Sequence, residues 1–182
     1  ATTPTIRDDI FFASLLKQKS NEITIIFIGL HVTSFPQEAL RENSVDYVIL
    51  GEPEDTICEL MSFYLEGKPD IEAIKGLGHK YNGKIIVNKK RLPKDNYDYP
   101  VMPDRALIKN EKYILPLTKE VFTVIKTSRG CNFECLFCTS TSYYGRGWKA
   151  RTPANIVEEI KEVKNEHGIN TFLFLSDTFN GT

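Results

Sequence analysis

Cys131-Asn132-Phe133-Glu134-Cys135-Leu136-Phe137-Cys138 is the most informative stretch of this 182-residue chain. It puts three cysteines in one loop at C-x3-C-x2-C spacing. Thiolates are soft ligands that favour zinc, Cu(I) or iron–sulfur clusters. Because a closed site normally has four protein ligands, three thiolates on a four-iron cluster would leave one iron free to bind a substrate or a cofactor. The loop therefore predicts a metal centre with one open position.

A structural zinc site is the alternative interpretation of this loop. It would need a fourth ligand from elsewhere, and the chain offers His79 and His167. Structural zinc sites usually combine two ligand pairs, and the sequence has no second C-x2-4-C pair. The remaining cysteine, Cys58, falls on the apolar side of a predicted helix, where a lone cysteine behaves as a small hydrophobic residue. The ligand count favours the cluster.

The elements around the loop form one β-α-β unit. Apolar runs predict strands at 121–126 and 171–175. Between them, a helix is predicted to start at Pro153, with Thr152 as its hydroxyl cap, and to end at Gly168. A parallel pair of strands with a helical crossover is therefore expected.

Polar residues follow the second strand of this unit, at Ser176 and Asp177. In α/β sheets and barrels, functional loops follow the carboxyl ends of parallel strands. The cysteine loop follows one such end and Ser176-Asp177 follows the other, so we expect the two to face each other across one pocket. An aspartate that only caps a turn is the alternative.

The first half of the chain alternates helical and strand patterns. Short apolar runs rich in β-branched residues predict strands at 23–28 and 45–50, buried on both faces. Apolar residues at helical spacing predict helices at 8–19, 36–42 and 56–66. Strands that alternate with helices imply a parallel α/β sheet.

Turn residues separate this half from the cysteine loop. Asn82-Gly83 between strand-like flanks predicts a tight hairpin, because both turn positions need positive φ. From residue 88 onward the sequence has no regular spacing of apolar residues and is rich in proline, lysine and aspartate. This composition predicts a partly extended linker between two domains.

The cysteine loop, with Phe137 directly before its last cysteine, resembles the signature of the radical S-adenosylmethionine (SAM) enzymes. In that family the cysteines hold a [4Fe-4S] cluster whose open iron chelates the amino and carboxylate groups of SAM. The resemblance implies that the metal ligands here are Cys131, Cys135 and Cys138. It also implies that Phe137 lies near the adenine and that Ser176 and Asp177 lie near the SAM amino group, although the family's Gly-Gly-Glu pattern is absent.

Three arginines and a tryptophan flank the loop. Guanidinium groups of Arg129, Arg146 or Arg151 would stabilise the negative charge of a reduced cluster or of the SAM carboxylate. Solvated surface arginines are the alternative. Trp148 would shield the cluster or pack in the ordinary way.

Two stretches of the first half resemble cobalamin-binding domains that precede many radical SAM barrels. Gly29-Leu30-His31-Val32-Thr33 is similar to their Gly-Gly-Pro-His-Val-Thr, and Gly51-Glu52-Pro53-Glu54-Asp55-Thr56 is similar to their Gly-Glu-Gly-Glu-x-Thr. The resemblance implies cofactor-binding roles for Gly29, His31, Gly51 and Glu52. Ile28 replaces the first glycine, which narrows the pocket, and the cobalt-ligand motif Asp-x-His-x-x-Gly is absent.

The expected fold class is α/β: a partial Rossmann-like parallel sheet, a linker, and the start of a (β/α) TIM-like radical SAM barrel. The expected boundaries are 1–87 for the C-terminal part of a cobalamin-binding-type domain, 88–112 for the linker and 113–182 for the N-terminal part of the barrel. A full barrel needs about 250 residues, so a fragment is expected, with strand 171–175 at a sheet edge.

The resemblance implies an enzyme that cleaves SAM reductively at its [4Fe-4S] cluster to start radical chemistry on a small molecule. An external electron donor would reduce the cluster, and cobalamin would support methyl transfer or rearrangement. A radical SAM methylthiotransferase acting on RNA is one alternative, but it would carry a further cysteine-rich domain, and only Cys58 precedes the loop. A corrinoid carrier or a zinc-stabilised module without activity is the other.

Composition limits the remaining function classes. The net charge of −1 gives no sign of nucleic-acid binding, and no apolar run reaches the ~20 residues of a membrane span. The first residues are small and polar, unlike a secretory signal. Three of four cysteines lie in one loop, which is unlike a disulfide framework and typical of a reducing compartment. A cytoplasmic protein is expected.

Overall fold

The computed structural model describes residues 1–93 and 97–179. The chain falls into two units, of which unit 1 comprises 1–93 and 142–145, and unit 2 comprises 94–141 and 146–182. The predicted linker (88–112) includes residues 94–96, and the predicted barrel segment (113–182) includes residues 180–182; both sets lie outside the described residues. None of the helices described is long and apolar enough to cross a membrane.

Unit 1 is an α/β unit with a four-stranded sheet in the order β1-β2-β3-β4. Its helices and strands are α1 (Ile6–Lys19), β1 (Ile26–Ile28), α2 (Leu30–Ser34), α3 (Pro36–Leu40), β2 (Tyr47–Ile49), α4 (Glu54–Glu66), β3 (Leu77–Tyr81) and β4 (Lys84–Val87). A single 3-10 turn, Ile71–Ala73, precedes β3. The predicted helices and strands are all present, although both early strands are shorter than their apolar runs.

The sheet of unit 1 is mixed rather than wholly parallel. β1 and β2 are parallel as expected, whereas β3 pairs antiparallel with both β2 and β4. The β2–β3 pairing is antiparallel because β3 begins at the edge where β2 ends, with the Leu50 N–H donating to the Gly76 carbonyl at 2.8 Å. The predicted hairpin is confirmed, with positive φ at both Asn82 and Gly83.

Apolar residues cover both faces of this sheet. Successive strand residues point to opposite faces, and β2 accordingly places Val48 in one core cluster and Ile49 in the other. The helix α4 packs Leu60 into the second cluster. Because α4 buries Thr56 and Leu60, Cys58 lies on the opposite side of the helix and is exposed, so its predicted apolar placement is wrong.

Unit 2 holds the predicted β-α-β arrangement. Its strands and helix are β5 (Phe122–Lys126), β6 (Ser128–Cys131), β7 (Gly147–Ala150), α6 (Pro153–His167) and β8 (Thr171–Leu175). A short helix after the cysteine loop, α5 (Ser140–Tyr144), has its residues 142–144 in unit 1. The Thr152 hydroxyl accepts from the Asn155 N–H at 3.3 Å, and Gly168 ends α6 with φ 65°. Both predicted boundaries of α6 are confirmed.

The strands of unit 2 form two small sheets. β5 and β8 are parallel, and β8 lies at an edge in the described part of the chain, as expected. β6 and β7 form an antiparallel ribbon that the sequence pattern did not predict. Two 3-10 turns, Arg105–Leu107 and Asn110–Lys112, interrupt the segment before β5.

Candidate functional site

The cysteine loop extends from the end of the β6–β7 ribbon. Cys131 is the last residue of β6 and pairs with Gly147, the first residue of β7. Further along, the Cys138 N–H donates to the Cys135 carbonyl at 3.0 Å, which places these two residues in one turn. Cys131 is half-buried, whereas Cys135 and Cys138 are exposed. The loop is therefore anchored at Cys131 and open to solvent beyond it.

The donor set fits an iron–sulfur cluster chemically. All three cysteines are free thiols. Within residues 1–93 and 97–179, however, no three Cys, His, Asp or Glu side chains converge closely enough to hold a metal ion. Because metal binding and local folding are coupled in such sites, exposed thiols on one short loop can converge without disrupting a packed core.

Cys131 lies in surroundings that favour its thiolate. Its sulfur accepts hydrogen bonds from the Thr178 hydroxyl at 3.1 Å and from the Phe133 N–H at 3.5 Å. These bonds, with that of Thr178 contributing most, lower the pKa of the Cys131 thiol below its ordinary value, although desolvation and the charge of Asp177 act in the opposite direction. The thiolate is the form that binds metals.

The residues that follow β8 reach the base of the cysteine loop. The Asp177 carboxylate accepts from the Gly130 N–H at 3.1 Å, one residue before Cys131. Ser176 is half-buried, and its Oγ is a buried atom without a hydrogen-bond partner among the described residues. The structure thus brings Asp177 beside the loop, while the SAM-binding roles of Ser176 and Asp177 stay predictions.

The side chain of Phe137 is exposed, whereas the candidate zinc ligand His79 is buried and the other candidate, His167, is half-buried. The Phe137 side chain is 91% exposed. His79 is buried on β3 of unit 1, and His167 is the last residue of α6. The predicted position of Phe137 near the adenine of SAM is not tested by this arrangement.

The second candidate site lies beyond β1 and β2 in unit 1. Gly29 follows β1 with φ 114°, and Gly51 lies just beyond β2 with φ 73°. The Thr33 hydroxyl links them, because it donates to the Gly29 carbonyl at 2.8 Å and accepts from the Gly51 N–H at 2.9 Å. Glu52 follows and is half-buried. Thr33 therefore joins the two glycine turns, a role that the sequence pattern does not indicate.

His31 and Gly29 both contact the first residues of the chain. A Cβ at Gly29 would lie 2.7 Å from the Ala1 carbonyl oxygen, so glycine is required there by the protein's own backbone. The backbone N–H of His31 donates to the same carbonyl at 3.3 Å. The ring atom Nδ1 of His31 lies 3.2 Å from the Thr3 hydroxyl oxygen. The structure brings Gly29, His31 and Gly51 together, while their cofactor role stays a prediction.

Comparison with protein families supports the interpretation of the cysteine loop. Residues 125–181 match the family model of the radical SAM superfamily. These residues therefore match a radical SAM domain. The matched range contains β6, β7, α6, β8 and the whole cysteine loop. The family prediction is confirmed by this match, which implies a [4Fe-4S] cluster and SAM as cofactors.

Two curated relatives match almost the whole chain. An uncharacterised methyltransferase of Pyrococcus horikoshii is 33% identical over 180 residues, which are 98% of this chain and 39% of that protein. An anaerobic magnesium-protoporphyrin IX monomethyl ester cyclase of Rubrivivax gelatinosus is 26% identical over 182 residues, which are 97% of this chain and 32% of that protein. The chain therefore spans about two fifths or less of these relatives.

The fold of this chain also matches part of a solved radical SAM protein. The radical SAM methyltransferase TsrM of Kitasatospora setae, solved with cobalamin and a [4Fe-4S] cluster bound, superposes with a TM-score of 0.71 at 17% identity. The match covers 95% of this chain and 34% of TsrM. The predicted α/β fold class, with a radical SAM-like segment, is confirmed.

The three arginines that flank the cysteine loop have different surroundings. Arg146 pairs with Glu134 of the loop at 3.0 Å, and both side chains are well exposed. The Arg129 guanidinium lies 5.3 Å from the centre of the Tyr97 ring. Arg151 is buried and bonds to the Lys126 carbonyl at 3.0 Å, which excludes the solvated alternative for this residue.

A buried charged network in unit 2 was missed by the sequence analysis. Glu159 of α6 is 1% exposed and lies between two buried arginines. One carboxylate oxygen pairs with Arg105 at 2.5 Å and the other with Arg151. Arg105 also donates to the Thr123 hydroxyl of β5 at 3.1 Å, so the network joins the segment before β5 to the sheet and to α6. The sequence does contain one sign of this network: Glu159 is a charged residue on the apolar stripe of α6, where a buried side chain needs a partner.

Proposed function

We propose that this chain is part of a radical SAM enzyme that transfers a methyl group to a small-molecule substrate, with a second SAM molecule as the methyl donor and cobalamin as the methyl carrier. The observation that carries the proposal is the C-x3-C-x2-C loop, anchored on β6 beside the residues that follow β8, inside the radical SAM segment. Relatives described as a methyltransferase and as a cyclase support an enzymatic role rather than a structural metal site.

Each loop cysteine has a distinct part in this proposal. Cys131, Cys135 and Cys138 bind three irons of the cluster as thiolates. Hydrogen bonds from Thr178 and Phe133 orient the Cys131 sulfur. A cluster held there and reduced by an external one-electron donor would supply the electron for reductive cleavage of SAM to methionine and a 5′-deoxyadenosyl radical.

Other residues of the site bind and orient SAM. The exposed Phe137 ring packs against the adenine, since aromatic rings and bases both present flat apolar faces. The unpartnered Ser176 hydroxyl and the Asp177 carboxylate face the SAM amino group. Cobalamin is placed at the turns of Gly29, His31, Gly51 and Glu52, where the carboxyl ends of two parallel strands form the kind of edge that binds nucleotide-bearing cofactors.

We place this enzyme in the cytoplasm, with an external electron donor and without a nucleic-acid partner. A reducing compartment keeps the exposed thiols of Cys135 and Cys138 available for cluster assembly. The net charge of −1 gives no surplus of cations for phosphate binding. An RNA-directed methylthiotransferase is therefore not favoured.

Anaerobic reconstitution with iron and sulfide tests the proposal. We expect about four irons and four sulfides per chain and a brown absorption band. Single substitutions of Cys131, Cys135 or Cys138 by alanine should each remove most of this absorption. Cys58→Ala is the matched control, because Cys58 is an exposed thiol on α4 outside the radical SAM segment. One zinc per chain, or loss of the cluster in the control, would show that the ligand assignment is wrong.

A further inference from the structure

Thr178 is tied to both strands of the ribbon that carries Cys131. Its carbonyl accepts from the Trp148 indole N–H of β7 at 2.7 Å and from the Ser128 hydroxyl of β6 at 3.1 Å. Both partners are themselves held by ladder pairing between β6 and β7. The backbone of Thr178 is therefore fixed relative to Cys131.

The residues before Thr178 strengthen this attachment. The Thr127 N–H donates to the Leu175 carbonyl at 3.3 Å, and the Gly130 N–H donates to the Asp177 carboxylate at 3.1 Å. Leu175, Asp177 and Thr178 therefore each contact the segment 127–131, which includes β6. The turn after β8 is held against the ribbon at these three residues.

This attachment directs the Thr178 hydroxyl at the sulfur of Cys131. The Oγ1–Sγ distance is 3.1 Å, well within hydrogen-bonding range for a sulfur acceptor. A hydroxyl can donate only one hydrogen, and Thr178 donates it to this sulfur. The Phe133 N–H, at 3.5 Å, is the longer of the two contacts to this sulfur.

We propose that Thr178 is a positioning residue that sets the reduction potential of the cluster through its hydrogen bond to the Cys131 sulfur. The inference rests on the proposed function, because it requires Cys131 to be a cluster ligand. Hydrogen bonds to the ligand sulfurs are one of the factors that set the reduction potential of an iron–sulfur cluster. One electron from the external donor adds negative charge to the cluster and its sulfurs; the hydroxyl proton stays on Thr178 and stabilises that charge.

Three variants separate the hydroxyl from the rest of the side chain. Thr178→Val removes the donor and keeps the shape, Thr178→Ser keeps the donor and removes the methyl group, and Thr171→Val makes the same chemical change at the start of β8. Thr171 is a suitable control because its hydroxyl contacts Glu120 at 3.4 Å rather than the loop. Each reconstituted protein is titrated anaerobically with dithionite while the reduced cluster is followed by electron paramagnetic resonance.

We expect Thr178→Val to lower the ratio of reduced to oxidised cluster at a fixed potential by about fivefold, a typical effect of one hydrogen bond. At 59 mV per tenfold for one electron, this is a midpoint about 40 mV more negative. Thr178→Ser and Thr171→Val should keep the wild-type midpoint. Iron and sulfide content, measured on the same samples, should be equal in all four proteins.

The outcomes distinguish this inference from the proposed function. If the wild-type protein binds no cluster, both are wrong. If it binds a cluster and Thr178→Val has the wild-type midpoint, the inference alone is overturned. Loss of the cluster from Thr178→Val but not from Thr178→Ser would show that the hydroxyl is needed to hold the cluster rather than to set its potential, and would overturn the inference. Loss from both variants would assign the effect to packing and overturn the inference.

Discussion

In unit 2, the cysteine loop and the Arg105–Glu159–Arg151 network have opposite surroundings. Phe137 of the loop is 91% exposed, whereas Glu159 of α6 is 1% exposed and bonded to two arginines. Because the loop side chains pack against little else, their substitution can change ligand binding with little effect on the free energy of unfolding. A substitution in the network leaves a buried charge without a partner and lowers that free energy. The comparison therefore separates residues that serve chemistry from residues that hold the unit together.

The largest effect on stability is expected for Glu159→Ala. It leaves the buried guanidinium groups of Arg105 and Arg151 without their carboxylate, and breaking a buried ion pair in this way typically costs about 3–5 kcal/mol. We expect the free energy of unfolding of unit 2 to fall by that amount. Urea unfolding followed by the fluorescence of Trp148, the one tryptophan of the chain, measures it.

Glu158→Ala is the matched control for this experiment. Glu158 is the adjacent residue of α6 and is exposed, so we expect a change within about 0.5 kcal/mol. Equal effects of the two substitutions would contradict the role given to the network. They would also remove the contrast with the cysteine loop.

The sequence predicted the loop well and the network not at all, for a physical reason. Cysteine spacing is a local signal, and three thiols within eight residues have few alternative explanations. Glu159 finds its partners 54 residues earlier, at Arg105, and eight residues earlier, at Arg151. A helical pattern shows that Glu159 lies on a buried face, but not which distant cation accompanies it.

The same distinction explains the results for the fold. The Asn82-Gly83 turn and the ends of α6 were predicted because each depends on the residues at the position itself. The antiparallel pairing of β2 with β3 and the β6–β7 ribbon depend on contacts between distant residues, and the sequence pattern did not show them. The position of Thr178 against Cys131 is of this second kind, since it depends on a ribbon that was not expected.

A smaller effect, and one of a different kind, is expected for Phe137→Ala. Its ring is almost fully exposed, so the free energy of unfolding should change by less than about 0.5 kcal/mol. If the ring packs against the adenine, SAM should bind about three- to tenfold more weakly to the reconstituted protein, the range expected for one aromatic contact. Anaerobic titration calorimetry measures this affinity.

Phe133→Ala provides the comparison for Phe137→Ala. Phe133 is an exposed aromatic residue of the same loop, and the family resemblance gives it no contact with SAM. Its substitution should leave SAM affinity unchanged. Equal weakening by both substitutions would show that the loop acts through general apolarity rather than through Phe137.

The central claim is that Cys131, Cys135 and Cys138 hold a cluster with one iron open to SAM. Mössbauer spectroscopy of the protein reconstituted with 57Fe, with and without SAM, tests it most directly. We predict that SAM changes the signal of one iron in four, because three irons keep thiolate ligands and only the fourth is free to bind the amino and carboxylate groups. A spectrum that SAM leaves unchanged, with four equivalent irons, would contradict the claim.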